Sequence, residues 1–326
     1  MKKPLFGFFV LLLCCKILVT AAFLLISYRI EIGDKQTHTL IIPQRTSMSQ
    51  MAEILKKNHL IVSDIPFRVW ACILRPFGFL KAGEYEFFPP HRLGNIIAKL
   101  QRGETVVHRF TVVEGLTSAE IEKQVLDLPF LQGESGLTEE GTLLPETYHF
   151  SYRDKRRDLI KRMQDAFQKE AQKLWQTRSS TLPYKNLQEA IILASLVEKE
   201  TAISEERPRV AAVFLNRLRI GMPLQCDATI LYGLYHDKGL ALNRHLSKAE
   251  LKASTPYNTY LHKGLPPTPI CNPGRASLKA VFMPASTKEL YFVANGRGGH
   301  EFSETYTAHA KHHKTWRKIR NKKVPN

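Results

Sequence analysis

Gln188-Glu189-Ala190-Ile191-Ile192-Leu193-Ala194-Ser195-Leu196-Val197-Glu198-Lys199-Glu200-Thr201 is the stretch on which the fold turns. Up to Val197 it is apolar on every face at helical spacing, the pattern of a buried helix. Such a helix delivers Glu198 and Glu200 at its end. Two residues apart is roughly 200° of helix, so the two carboxylates cannot share one site. Glu198 falls on the face of Ile191, Ala194 and Ser195, and Glu200 below Leu193 and Leu196. A carboxyl at the rim of an apolar helix is partly desolvated and holds its proton closer to neutrality, as a general acid must. Taken alone, the stretch also reads as an ordinary helix end with two solvated glutamates.

Outward from it, Ser204 to Ile220 reads as a second helix with Val210, Val213, Phe214 and Leu218 inward. A polar loop follows, Gly221-Met222-Pro223-Leu224-Gln225-Cys226-Asp227-Ala228-Thr229. Then come Pro256-Tyr257-Asn258-Thr259-Tyr260, Gly264-Leu265-Pro266-Pro267 and Asn272-Pro273-Gly274. Tyr291-Phe292-Val293-Ala294 leads through Asn295-Gly296-Arg297-Gly298-Gly299 to His300-Glu301-Phe302. In this order the motifs resemble the catalytic domain of the endolytic murein transglycosylases, the YceG-like family. The likeness runs from about Val113 to the C-terminus, with a weaker one reaching back to the apolar N-terminal segment.

The resemblance implies an α+β catalytic domain over 110–326 with Glu198 as general acid and base. It implies cleavage of the MurNAc-GlcNAc bond of nascent peptidoglycan strands, leaving a 1,6-anhydro-MurNAc end and terminating strand elongation. One carboxylate suffices for this chemistry, and no metal or cofactor is required. Gln225, Asp227, Asn258 and His300 are the candidates for positioning and electrostatic support, with Thr229 and Tyr257 beside them. Glu140-Gly141-Thr142-Leu143-Leu144-Pro145-Glu146-Thr147-Tyr148 is similar to a motif lining the family's cleft, which makes Glu146 and Tyr148 substrate contacts. This chain departs from the family at Thr142 and Leu144, where aromatics that stack on sugars are usual. It departs again at Ala228, in place of proline, and at Thr268, in place of glycine. On this reading Glu198 faces a groove shared with Gln225, Asp227 and Asn258, and Glu200 turns away. Two other classes stay open: a hydrolytic glycosidase with Asp227 as second carboxylate, and an inactive wall-binding scaffold.

The net charge of +17 favours anionic partners such as nucleic acid, anionic lipid or an acidic wall polymer. Lys and Arg are spread along the chain and no nucleic-acid module is present, so nucleic acid is set aside. The densest run, Lys311 to Lys323, has seven Lys and Arg and no acidic residue, and reads as a solvated helix face. Among the cysteines no Cys-x-x-Cys occurs, so a zinc site is not expected. His309, His312 and His313 read as exposed and unliganded. Cys226 and Cys271 each sit inside a cleft motif, where a disulfide between them is one option.

Lys2 and Lys3 precede an apolar run from Pro4 to Tyr28, broken only by Lys16. As a helix it spans roughly 37 Å, enough for a hydrocarbon core of about 30 Å. The basic tip sets the N-terminus in the cytoplasm and the rest outside the cell (inner) membrane. A cleaved signal peptide is the rival reading, but no small-x-small site follows Tyr28. The division expected is therefore 1–28 tip and transmembrane helix, 29–109 a small α/β module, and 110–326 the catalytic domain. In the module, strands are expected at Thr39–Pro43 and Gly83–Phe87, and helices at Ser47–Asn58, Ser63–Leu74 and Arg92–Gln101. The resemblance makes this module LysM-like. It implies glycan strands, the membrane and peptidoglycan synthases as partners.

Overall fold

The computed structural model describes residues 3–29, 31–32, 35–136 and 138–323. It divides into two compact units, Met1–His108 with His149–Asp154, and Arg109–Tyr148 with Lys155–Asn326.

The first unit begins with α1 (Lys3–Arg29) and the short strand β1 (Glu31–Ile32). β2 (His38–Ile42), α2 (Met48–Lys57), α3 (Asp64–Ile73), β3 (Gly83–Phe87), β4 (His91–Arg92) and α4 (Leu93–Arg102) follow. β2 and β3 pair antiparallel with Leu40 opposite Tyr85, and β1 pairs β4. Ser47 and Gln50 close a capping box at the head of α2, satisfying two backbone donors that a bare helix end would leave open. Leu40, Ile42, Leu55, Phe67, Tyr85, Ile97 and Leu100 form the core.

α1 is helical where the apolar run predicts a transmembrane helix. Among the described residues, however, no helix is long and apolar enough to cross a membrane. Lys2 lies outside the described residues. The end of α1 docks on the module: Tyr28 and Trp70 rings sit 4.6 Å apart. Tyr28 also fills the space over Gly94, where a Cβ would come within 2.5 Å of it.

β5 (Val107–Thr111) carries the chain into the second unit, where Thr117 and Glu120 cap α5 (Ser118–Leu126). β6 (Thr147–Ser151) and α6 (Arg156–Thr177) lead to α7 (Leu187–Glu200), α8 (Arg207–Arg219) and α9 (Asp227–Lys238). α10 (Arg275–Phe282), the hairpin β7 (Tyr291–Ala294) and β8 (His300–Ser303), and α11 (Tyr306–Lys323) complete the chain. α8 starts three residues later than the apolar spacing predicts, because Pro208 sets the first turn and Glu206 takes the N-cap position. α7 is the axis of this unit. Its residues Ala190 to Val197 are all buried, packed with Phe214, Leu278, Val281 and Phe167 from α8, α10 and α6.

Candidate functional site

α7 is held from both ends. Asn186 accepts the Glu189 N–H at 3.0 Å and caps its start. Near its end Ser195 Oγ donates to the Ile192 carbonyl at 2.7 Å and accepts the Ile270 N–H at 3.0 Å. Asn272 continues this seam. Its buried amide receives the Leu143 N–H at 2.8 Å and donates to the Leu116 carbonyl, Ser118 and Glu140. With the helix so fixed, its last turn sends two carboxylates in different directions.

The Glu198 carboxylate is sealed, its side chain only 4% exposed. Arg207, itself buried, donates to Glu198 Oε1 at 3.1 Å, and the Gly274 N–H donates to Oε2 at 2.8 Å. The same guanidinium reaches Glu114 at 3.4 Å and Ser204 at 3.1 Å. Burial and then the charge of Glu198 push the Glu114 carboxyl up, against the pull of Arg207. Both oxygens of Glu198 are therefore committed to an ion pair and a helix N-terminus.

Glu200 meets the polar loop instead. Burial pushes its carboxyl up, as does the charge of Asp227, while the Cys226 thiol, His300 and Arg217 pull the other way. Cys226 is 1% exposed, and burial together with Glu200 raises its thiol well above the ordinary value. It is thus a donor to Glu200 and not a thiolate. Asp227 opens α9 at the surface and accepts the Tyr260 hydroxyl at 2.6 Å, which burial and Asp227 together push far up. His300 pairs through Nδ1 with Glu206 at 2.7 Å. The helix that was expected to aim Glu198 at the loop aims Glu200 there. Sequence phase gives the angle between the two, but not the side to which residues 221–260 return.

The other candidates divide by burial. Gln225 and Asp227 are exposed, and Gln225 adopts a positive φ of 52° while its N–H reaches the Thr259 carbonyl at 3.2 Å. That is a cost a non-glycine residue bears where the loop demands it. Thr229, Tyr257 and Asn258 are buried fasteners. Thr229 donates to the Cys226 carbonyl at 2.6 Å, and Asn258 donates to the carbonyls of Leu251 and Ala253. Tyr257 pairs with the Thr268 hydroxyl at 2.9 Å, a partner that glycine in that place would not supply. Glu146 is exposed and ion-paired with Arg275 at 2.6 Å, and Arg275 also holds Glu170. Tyr148 donates to the Leu144 carbonyl at 2.7 Å, and burial pushes its hydroxyl up to about 12.

Leu144 is fully buried in the core around α7, and Thr142 donates to the Glu139 carbonyl at 2.7 Å. The departure at Leu144 is therefore a change in the core and not in a sugar-stacking surface. Cys226 and Cys271 are free thiols, and Cys271 donates to the Ser195 carbonyl. Among the described residues no group of three or more His, Cys, Asp and Glu side chains is placed to hold a metal ion. Sequence reasoning gave no role to Tyr260, Glu206, Arg207 or Glu114. Tyr260 lies in a quoted motif, but Glu206 meets His300 94 residues on and Arg207 bridges the end of one helix to the next, so neither carries a local signal.

A family model described as the YceG-like family matches residues 40–315. An endolytic murein transglycosylase of Bacillus subtilis is 31% identical over 90% of this chain and 89% of its own length. One from Streptococcus pneumoniae is 29% identical over 82% of this chain, which spans 56% of that longer protein. The crystal structure of a yceG-like protein from Listeria monocytogenes, 28% identical, superposes with a TM-score of 0.51 over 85% of this chain and 99% of the other.

Proposed function

Because the chain belongs to the YceG-like family, we propose that it cuts peptidoglycan glycan strands internally by lytic transglycosylation, with Glu200 as the acid. The observation that carries this is the enclosed Glu200 carboxyl, held toward its protonated form by burial and facing Cys226, Asp227 and His300. A carboxyl whose burial favours the protonated form can give its proton to the oxygen bridging two sugars. The bond from the anomeric carbon to that oxygen breaks, and positive charge builds on the departing ring. The charged Asp227, fixed by Tyr260, supports that charge. The 6-hydroxyl of the same muramic acid then attacks the anomeric carbon and closes a 1,6-anhydro ring. Water takes no part.

The resemblance assigns the acid to Glu198. Its ion pair with Arg207 favours a different role, tying the end of α7 to α8 and α10 so that Glu200 is aimed. Asp227 beside Glu200 also supplies the second carboxylate that a hydrolase would need. Digestion of purified, uncrosslinked glycan strands separates the two readings. New ends one water lighter than a reducing sugar are expected; free reducing ends would make the chain a hydrolase.

The proposal extends to location and role. α1 would serve as a single-pass anchor in the cell (inner) membrane, with the rest outside, and the enzyme would end strand elongation beside peptidoglycan synthases. The support is the apolar run itself and its exposed Ile17, Leu18, Val19, Phe23, Leu25 and Ile26. Full-length protein should stay with membranes through alkaline carbonate extraction, and a chain lacking residues 1–28 should not. Release of the full-length chain by carbonate would remove the anchor.

A further inference from the structure

Glu206 belongs to none of the motifs, yet it grips His300 twice. It is the N-cap residue of α8, and its Oε1 accepts the His300 backbone N–H at 2.9 Å while Oε2 pairs with ring Nδ1 at 2.7 Å. The hairpin turn is built for this approach. Asn295 Oδ1 accepts the N–H groups of Arg297 and Gly299 at 2.8 and 3.1 Å. A Cβ on Gly299 would come within 2.6 Å of Glu206 Oε1, so residue 299 must be glycine for the carboxylate to reach.

The state of the ring follows from these contacts. Burial pushes the Glu206 carboxyl up, but its bonds to His300 and Thr201 outweigh that and hold it below the usual carboxylate range. A charged carboxylate can only accept, so Nδ1 is the donor in this pair and Nε2 is the ring nitrogen left for other partners. Phe292 braces the ring edge-on at 5.5 Å between centroids, and the side chain is 18% exposed. Glu200 lies near enough that positive charge on His300 pulls its carboxyl down. A bond to the backbone alone would fasten the hairpin. The second bond, to Nδ1, fixes tautomer and ring plane, as in carboxylate–histidine pairs that transfer protons.

Resting on the transglycosylase reading above, we propose that His300, oriented by Glu206, is the base that takes the 6-hydroxyl proton while Glu200 serves as the acid. Glu200 gives its proton to the bridging oxygen as the glycosidic bond breaks. The 6-oxygen bonds to the anomeric carbon and its proton passes to His300 Nε2. The imidazolium then returns that proton to the Glu200 carboxylate, and both groups are restored with no water or other reagent consumed. His300 is thus a catalytic residue and Glu206 a positioning residue.

The test measures release of 1,6-anhydro ends from uncrosslinked glycan strands by wild-type, His300→Ala and Glu206→Gln proteins, each checked for the wild-type thermal midpoint. His300→Ala should lose about 10²-fold or more in kcat with a smaller change in KM, and added imidazole should restore part of the rate. Glu206→Gln should lose about 10- to 100-fold in kcat with KM little changed, and it carries the test if His300→Ala does not fold. An unchanged kcat in either folded variant overturns the proposal. So does a folded His300→Ala protein that loses activity but gains nothing from imidazole. If the wild-type protein itself releases no anhydro ends, the underlying reading fails independently of His300.

Discussion

Glu200→Gln is expected to lower the rate of strand cleavage by at least about 10²- to 10⁴-fold, the range that general acid catalysis contributes. The amide keeps the shape and can still accept from Cys226, so binding should survive and the loss should fall on kcat. The same change should make the protein more stable at neutral pH. Burial raises the folded-state value of the Glu200 carboxyl, so charging it costs the folded protein more than the unfolded one. That cost is absent below the unfolded value, grows as pH rises from there to the raised folded value, and is constant above it. The advantage of Glu200→Gln over wild type should therefore appear near neutrality and vanish in acid. Thermal midpoints at several pH values, beside single-turnover rates, check both parts. A variant that cuts strands at the wild-type rate would remove Glu200 from the chemistry, and Glu198→Gln would be the next protein to assay.

Arg207→Leu is expected to cost about 3–5 kcal/mol, because it leaves the Glu198 charge buried without a partner. Both side chains are almost sealed, at 6% and 4% exposure, so solvent cannot take over the role of the guanidinium. Glu114, at 44% exposure, can turn to water and adds little. For a unit of this size each kcal/mol moves the thermal midpoint by roughly 2–4 °C, so the drop should be on the order of 10 °C. Adding Glu198→Gln to Arg207→Leu should recover part of it by removing the stranded charge. A loss under about 1 kcal/mol, or no recovery in the double variant, would show that the pair does not tie α7 to α8.

What the sequence made legible was local. The all-round apolar face of Ile191 to Val197 can only be a buried helix, and it is. Ser47 announces a helix start because its cap is made with the residue three positions on. Helical phase also placed Glu198 and Glu200 on different faces. Which face meets the loop of Gln225 to Thr229 depends on contacts across dozens of residues, such as the Cys226 N–H on the Thr259 hydroxyl at 3.0 Å, and no local pattern encodes that. Burial was the other blind spot. Asn258 and Thr229 have the side chains of a binding site, but their hydrogen bonds go to their own loops. A polar residue that fastens a loop and one that grips a sugar look alike until their accessibility is known. Glu206 was invisible because its partner His300 lies 94 residues along the chain.

The central claim is that Glu200 cuts the strand without water. Digesting uncrosslinked glycan strands in heavy-oxygen water, with the new ends read by mass spectrometry, tests it directly. The account predicts 1,6-anhydro ends that carry no heavy oxygen from the wild-type protein, and almost no new ends from Glu200→Gln. Ends that carry one heavy oxygen would contradict it, because water and not the 6-hydroxyl would then be the nucleophile.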